Sequence, residues 1–121
     1  MTLNGFLLII VSITFSALGQ TSFKIGVDKL QLAEGSTLWD KLMGFALSPT
    51  ILLGFGFYGV GAFVWLLALR QTELSLAYPF VALSFVIVFL IGVIGLGETV
   101  NATKITGLAI IILGTLVLAR A

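Results

Sequence analysis

Apolar residues in this chain gather into four long runs. Residues 3–23, 51–69, 74–96 and 102–118 carry charges only at their ends, and each run approaches the about 20 residues with which a helix crosses about 30 Å of hydrocarbon. The runs lack the apolar/polar alternation of a membrane β-barrel. The connections Arg70-Gln71-Thr72-Glu73 and Gly97-Glu98-Thr99-Val100-Asn101 are too short to recross a bilayer, so the runs they join are antiparallel neighbours. The pattern predicts an all-α membrane protein with four transmembrane helices, residues 1–121 forming a single domain. Pro49 suits the start of the second span, where its missing N–H is no loss, and Asn101 suits the N-cap of the fourth. Ala17-Leu18-Gly19 resembles a signal-peptide cleavage site, but Met1-Thr2-Leu3-Asn4 supplies no basic segment before it, so the first run is read as a mature helix.

One connection is long. Residues 24–49 hold six of the eleven charges, and within them Leu38, Trp39, Leu42, Met43 and Phe45 recur at near-helical spacing while Asp40 and Lys41 fall on another side. This fits a short interfacial helix with Trp39 at headgroup level. A structured loop over the helix ends remains the alternative.

Composition narrows the function. Of 121 residues, 60% are hydrophobic and 9% charged, against about 45–50% and about 25% in soluble domains. Six Lys+Arg against five Asp+Glu leave no basic field for nucleic acid. The absence of Cys and His removes disulfides, Cys/His metal sites and catalysis by either residue. No cofactor is implied, and no cluster of catalytic groups exists, so an enzyme is not expected. Lys24, Lys29, Lys41 and Lys104 lie on one side of the predicted bundle, Arg70, Arg120 and the N-terminal amine on the other. The positive-inside rule places the lysine side in the cytoplasm, but the bias is small and an antiparallel homodimer stays open.

Polar and small residues inside the runs carry the candidate chemistry. Ser12, Ser16, Gln20 and Lys24 are spaced by four and form one stripe from mid-membrane to the surface. Two readings stand level. The stripe faces a wet groove that binds a polar headgroup, Lys24 attracting a phosphate; or the serines bond their own backbone, Gln20 bridges helices and Lys24 snorkels. Tyr78 places a hydroxyl about a turn inside the membrane, where a tyrosine of the interfacial aromatic belt is the alternative, and Pro79 kinks the third span. Glu98 is the acidic residue best placed for a special role: it receives a cationic group of a substrate, or it pairs with Lys104. Gly54-Phe55-Gly56-Phe57-Tyr58-Gly59 matches a dinucleotide-binding fingerprint in form only, because that motif needs a preceding strand; with Gly61 these glycines suggest close helix packing, a glycine-lined groove for an acyl or prenyl chain being the alternative. Gly107 and Gly114 lie on one face of the fourth span and form a packing surface, whether for this chain or for another copy. No acidic residue sits in the middle of a span, where proton-driven transport usually needs one.

Val64-Trp65-Leu66-Leu67-Ala68-Leu69, Leu76-Ala77-Tyr78-Pro79, Gly97-Glu98 and the segment from Gly107 to Gly114 together resemble the drug/metabolite transporter superfamily, in its four-helix small multidrug resistance and EamA-like branch. Gly19-Gln20 with Lys24 sharpens the resemblance toward the subunits of the aminoarabinose-phosphoundecaprenol flippase. The resemblance implies a four-helix subunit working as a homodimer or as a heterodimer with a related subunit. Helix four, through Gly107 and Gly114, would be the dimer contact, and Tyr78 would face substrate. The multidrug exporters carry a glutamate in helix one; Ser16 stands at the matching position, which speaks against proton-coupled cation export.

The favoured expectation is a transporter subunit of the bacterial cytoplasmic membrane that moves a polyprenyl-phosphate-linked sugar, aminoarabinose-like, with Ser12, Ser16, Gln20, Lys24, Tyr78 and Glu98 contacting the substrate and membrane lipids around it. A small-cation or metabolite exporter, in which Glu98 would carry the proton, is one alternative. An accessory membrane subunit of a lipid-linked glycan enzyme, contacting its partner through residues 24–49, is the other.

Overall fold

The computed structural model describes residues 3–30 and 35–120. The four hydrophobic runs become helices, and no strand occurs among the described residues. In chain order these are α1 (Leu3–Lys29), α2 (Leu38–Leu47), α3 (Pro49–Leu69), α4 (Leu74–Ala77), α5 (Ala82–Leu90) and α6 (Ala102–Leu118). A 3₁₀ turn, Tyr78–Val81, joins α4 to α5, and a π-turn, Ile91–Gly95, follows α5. The third run is thus one span with two interruptions.

Three helical stretches, Leu3–Lys29, Pro49–Leu69 and Leu74–Gly95, are long and apolar enough to cross a membrane. The 17 residues of α6 make a shorter apolar helix, about 25 Å at 1.5 Å per residue. α1 outruns its predicted end at residue 23 by continuing to Lys29. Its last turns are polar enough to leave the membrane as helix, and Lys24 pairs with Asp28 one turn on, at 3.1 Å. Lys24, Asp28 and Lys29 therefore belong to a helix and not to the loop in which their charge had placed them.

Residues 38–47 form a helix, the first of the two expectations for the long connection. Thr37 and Asp40 close a reciprocal capping box at its start: the Asp40 N–H donates to the Thr37 hydroxyl at 3.2 Å and the Thr37 N–H to the Asp40 carboxylate at 3.1 Å. None of its residues is buried, and Trp39 is 68% exposed. Ser48 caps α3 by accepting from the Ile51 N–H at 3.3 Å, with Pro49 in the first turn. Asn101 caps α6 by accepting from the Lys104 N–H at 2.8 Å, as its position predicted.

The bundle is organised by an antiparallel seam between α1 and α3. Gly5, Ser12, Gly19 and Gly26 on α1, and Gly54, Gly61 and Ala68 on α3, are each spaced by seven and are all buried. A repeat of seven keeps one face of a helix turned toward its neighbour over many turns, and small residues on that face let the backbones touch. A Cβ on Gly19 would lie 2.9 Å from the Gly54 carbonyl oxygen, and one on Gly61 would lie 3.0 Å from that of Ser12. Two hydrogen bonds stitch the seam: the Ser12 hydroxyl donates to Gly61 O at 2.7 Å and the Ser22 hydroxyl to Thr50 O at 2.8 Å. Interhelical bonds of this kind average about 0.6 kcal/mol in membranes.

Toward the Arg70 end, Ile9, Ile13, Ala68, Ala77 and Phe80 make a small buried core, with Phe6 meeting Phe80 edge-on at 6.0 Å. α6 is held more loosely. Thr115 is its buried residue, and its hydroxyl donates to Ile111 O at 2.9 Å while lying 3.5 Å from Pro79 O in the 3₁₀ turn.

Candidate functional site

Two clefts open along α1, the first at the edge of the seam and the second beyond it. The first, of about 210 Å³, is lined by Ser12, Ser16, Tyr58, Gly61, Trp65, Tyr78 and Ser84, with Ile13, Ala62 and Val81 completing it. Trp65 and Tyr78 stand edge to face across it, 6.4 Å between ring centres. The second, of about 230 Å³, lies toward the lysine-rich end and is lined by Gln20, Thr21, Lys24, Val88, Ile91, Gly92, Leu96 and Glu98. Ser16 in the first and Gln20 in the second are one turn apart on α1, so the polar stripe runs through both.

The six candidate side chains therefore form two groups. Ser12, Ser16 and Tyr78 meet in the first cleft; Gln20, Lys24 and Glu98 meet in the second. Ser12 is committed to Gly61 O, so its hydrogen is used across the seam and only its oxygen lone pairs remain for a ligand. That bond goes to a neighbouring helix and not, as one expectation had it, to the serine's own backbone. Thr14 and Thr21 do bond their own helix, through Ile10 O and Ala17 O, both at 2.8 Å. No hydrogen bond among the described residues engages the side chain of Ser16, Gln20 or Tyr78. Gln20 does not bridge two helices; its amide is exposed at the cleft.

Glu98 reaches the second cleft through backbone geometry. The π-turn delays the end of the span by a residue, with Leu96 N–H donating to Ile91 O at 3.1 Å. Gly97 then takes φ +69°, a left-handed conformation suited to glycine, and the Glu98 N–H closes on Gly92 O at 2.9 Å. This folds the Glu98 side chain back over Gly92, where any Cβ would collide with its carboxylate. The pairing of Glu98 with Lys104 is not formed: the Lys104 ammonium donates to Thr99 O at 2.7 Å. Lys24 is held by Asp28, with both side chains about half exposed, 51% and 57%.

Tyr58, Trp65 and Ser84 escaped the sequence reading as site residues. Tyr58 and Trp65 are spaced by seven, and Gly61 and Ala62 lie between them, so a heptad reading of α3 would have found that face. Ser84, which donates to Val81 O, is a lone serine in an apolar run and offered no comparable signal. The expected dimer contacts, Gly107 and Gly114, are exposed on α6 with nothing within 4 Å of where a Cβ would stand. Among the described residues no group of three or more Asp, Glu, His or Cys could hold a metal ion.

No protein-family model and no solved structure matches the chain. Curated proteins do. The probable 4-amino-4-deoxy-L-arabinose-phosphoundecaprenol flippase subunit ArnF of Shewanella sediminis is 32% identical, over 94% of this chain and 86% of its own length. The probable subunit ArnE of the same flippase from Proteus mirabilis is 36% identical over 90% of each chain. The probable ArnE subunit of Pseudomonas aeruginosa is 31% identical over 93% of this chain and 95% of its own. The chain belongs to this family of flippase subunits.

Like these relatives, this chain is a small multidrug resistance-like transporter subunit. It is a multi-pass protein of the bacterial inner membrane, and its relatives are named as transporter subunits rather than enzymes.

Proposed function

We propose that this chain is one subunit of a transporter that moves a polyprenyl-phosphate-linked amino sugar across the bacterial cytoplasmic membrane. The observation that carries the reading is the alignment of two polar-lined clefts along one face of α1, in a chain whose relatives are named for such a substrate. A polyprenyl tail can stay in the bilayer while only the headgroup crosses, so a bundle this small needs a polar track and no closed pore. The unengaged side chains of Ser16, Gln20 and Tyr78, with Ser12, are that track, and Lys24 at its end attracts the phosphate.

α6 completes the domain as a fourth transmembrane helix, and its Gly107/Gly114 face meets a second four-helix subunit. Resemblance to relatives named both ArnE and ArnF supports a related subunit as that partner. The clefts then open toward lipid on one side and are completed by the partner on the other.

Reconstitution of the chain with its partner subunit in liposomes tests the reading. Transbilayer movement of a polyprenyl-phosphate amino sugar should fall at least tenfold for Gln20→Ala and for Lys24→Ala, with the helical content of both variants unchanged. Full movement in both variants, or none in the unmodified protein, would sink the proposal.

A further inference from the structure

The second cleft holds one cationic and one acidic side chain, and only the cation has an ionic partner. Lys24 is engaged by Asp28, and the ammonium of Lys104 is turned to Thr99 O. No ion pair or hydrogen bond among the described residues reaches the Glu98 carboxylate. Three backbone features nonetheless hold it in place: the π-turn at Ile91–Gly95, the left-handed Gly97 and the bare Cα of Gly92 beneath it. A carboxylate at a membrane-span end that is steered by backbone geometry and left without a countercharge is poised for a cation supplied from outside the chain.

We propose that Glu98 is the specificity-determining residue of this cleft: it binds the ammonium group of the sugar while Lys24 takes the phosphodiester, so the site selects a zwitterionic headgroup over one whose amine is masked. The proposal rests on the lipid-linked sugar reading above and adds to it the feature of the headgroup that is read. A charged hydrogen bond between carboxylate and ammonium is the strong kind. Gln20, lining the same cleft with its amide unengaged, is placed to meet sugar hydroxyls, while Thr21, whose hydrogen goes to Ala17 O, can only accept. Gly92 is a positioning residue, since a side chain there would push the carboxylate out without removing its charge.

Two synthetic lipids test this with the full chain in detergent: a short polyprenyl phosphate bearing an amino sugar, and the same lipid with its amine acetylated. Binding is read by the fluorescence of Trp65 and Trp39 and by intact-complex mass spectrometry. The unmodified protein should bind the free-amine lipid at least tenfold more tightly than the acetylated one, the scale of one charged hydrogen bond. Glu98→Gln should bring the two affinities together by weakening only the free-amine lipid. Gly92→Ala should shrink the preference while the carboxylate is still present, and Glu98→Asp should retain part of it. A preference that survives Glu98→Gln overturns the proposal. Equal binding of both lipids by the unmodified protein overturns it too, but leaves the lipid-linked sugar reading standing. Binding of neither lipid removes both.

Discussion

Ser12 and Gly61 join α1 to α3 twice over: the serine hydroxyl donates to the glycine carbonyl at 2.7 Å, and the glycine Cα sits so near that a Cβ would come within 3.0 Å of the serine carbonyl. The same serine lines the first cleft. Ser12→Ala should therefore lower stability by about 0.6 kcal/mol, the average for an interhelical bond in a membrane. Thermal unfolding in detergent measures that. A headgroup contact through the Ser12 oxygen would add a separate fall in lipid affinity.

The glycines of α3 should divide into two classes. Gly54 and Gly61 lie on the seam, whereas Gly56 and Gly59 have nothing within 4 Å of a Cβ position. Gly54→Leu or Gly61→Leu should destabilise the bundle by at least the about 1–3 kcal/mol typical of overpacking, because the obstructing atoms include backbone. Gly56→Leu and Gly59→Leu should leave the unfolding temperature within a degree or two. Equal losses in both classes would contradict the seam.

Gly107 and Gly114 present an open face on α6, so their replacement by leucine should not affect the fold of the isolated chain. If that face meets a second subunit, Gly107→Leu and Gly114→Leu should reduce the dimeric fraction in intact-complex mass spectrometry at least fivefold while circular dichroism stays constant. An unchanged dimeric fraction would place the contact on another face.

Asp28 competes with any anionic ligand for Lys24. An exposed pair at this spacing is worth about 0.3–0.5 kcal/mol, so Asp28→Asn should tighten binding of a polyprenyl phosphate about twofold without altering thermal stability. The gain should vanish in 0.5 M salt, where exposed charges are screened.

Asn101→Ala removes the side-chain acceptor that caps α6 and should lower stability by about 1 kcal/mol. Hydrogen exchange at the Lys104 amide, which donates to Asn101 at 2.8 Å, should rise in this variant while amides in the middle of α1 are unaffected.

Hydropathy alone located the apolar helices, because a run of uncharged residues has few other stable states in lipid. Capping by Asn101 and the start of α3 at Pro49 were equally legible, each depending on a local backbone rule. The seam was harder to read, since Ser12 belongs to two patterns at once: the four-residue spacing shared with Ser16, Gln20 and Lys24, and the seven-residue spacing shared with Gly5, Gly19 and Gly26. The first draws attention through polarity and the second only through smallness. Pro79 marked the first interruption of the third span. Nothing in Ile91-Gly92-Val93-Ile94-Gly95 announces a π-turn, so the approach of Glu98 to Gly92, and with it the grouping of Glu98 with Gln20 and Lys24, required three dimensions.

The seam also divides the molecule mechanically. Along α1 and α3 backbone lies against backbone at Gly19–Gly54 and Ser12–Gly61, and the Phe15 and Phe23 side chains pack over the α3 glycines, so the pair behaves as a stiff post. In the third span Gly92 and Gly95 meet no backbone of another helix, and the span is jointed at both ends, by the 3₁₀ turn at Tyr78–Val81 and by the π-turn at Ile91–Gly95. Each cleft has the post for one wall and this jointed arm for the other. Widening either cleft is therefore easiest by swinging the arm, and the two joints lie where one cleft and then the other would open.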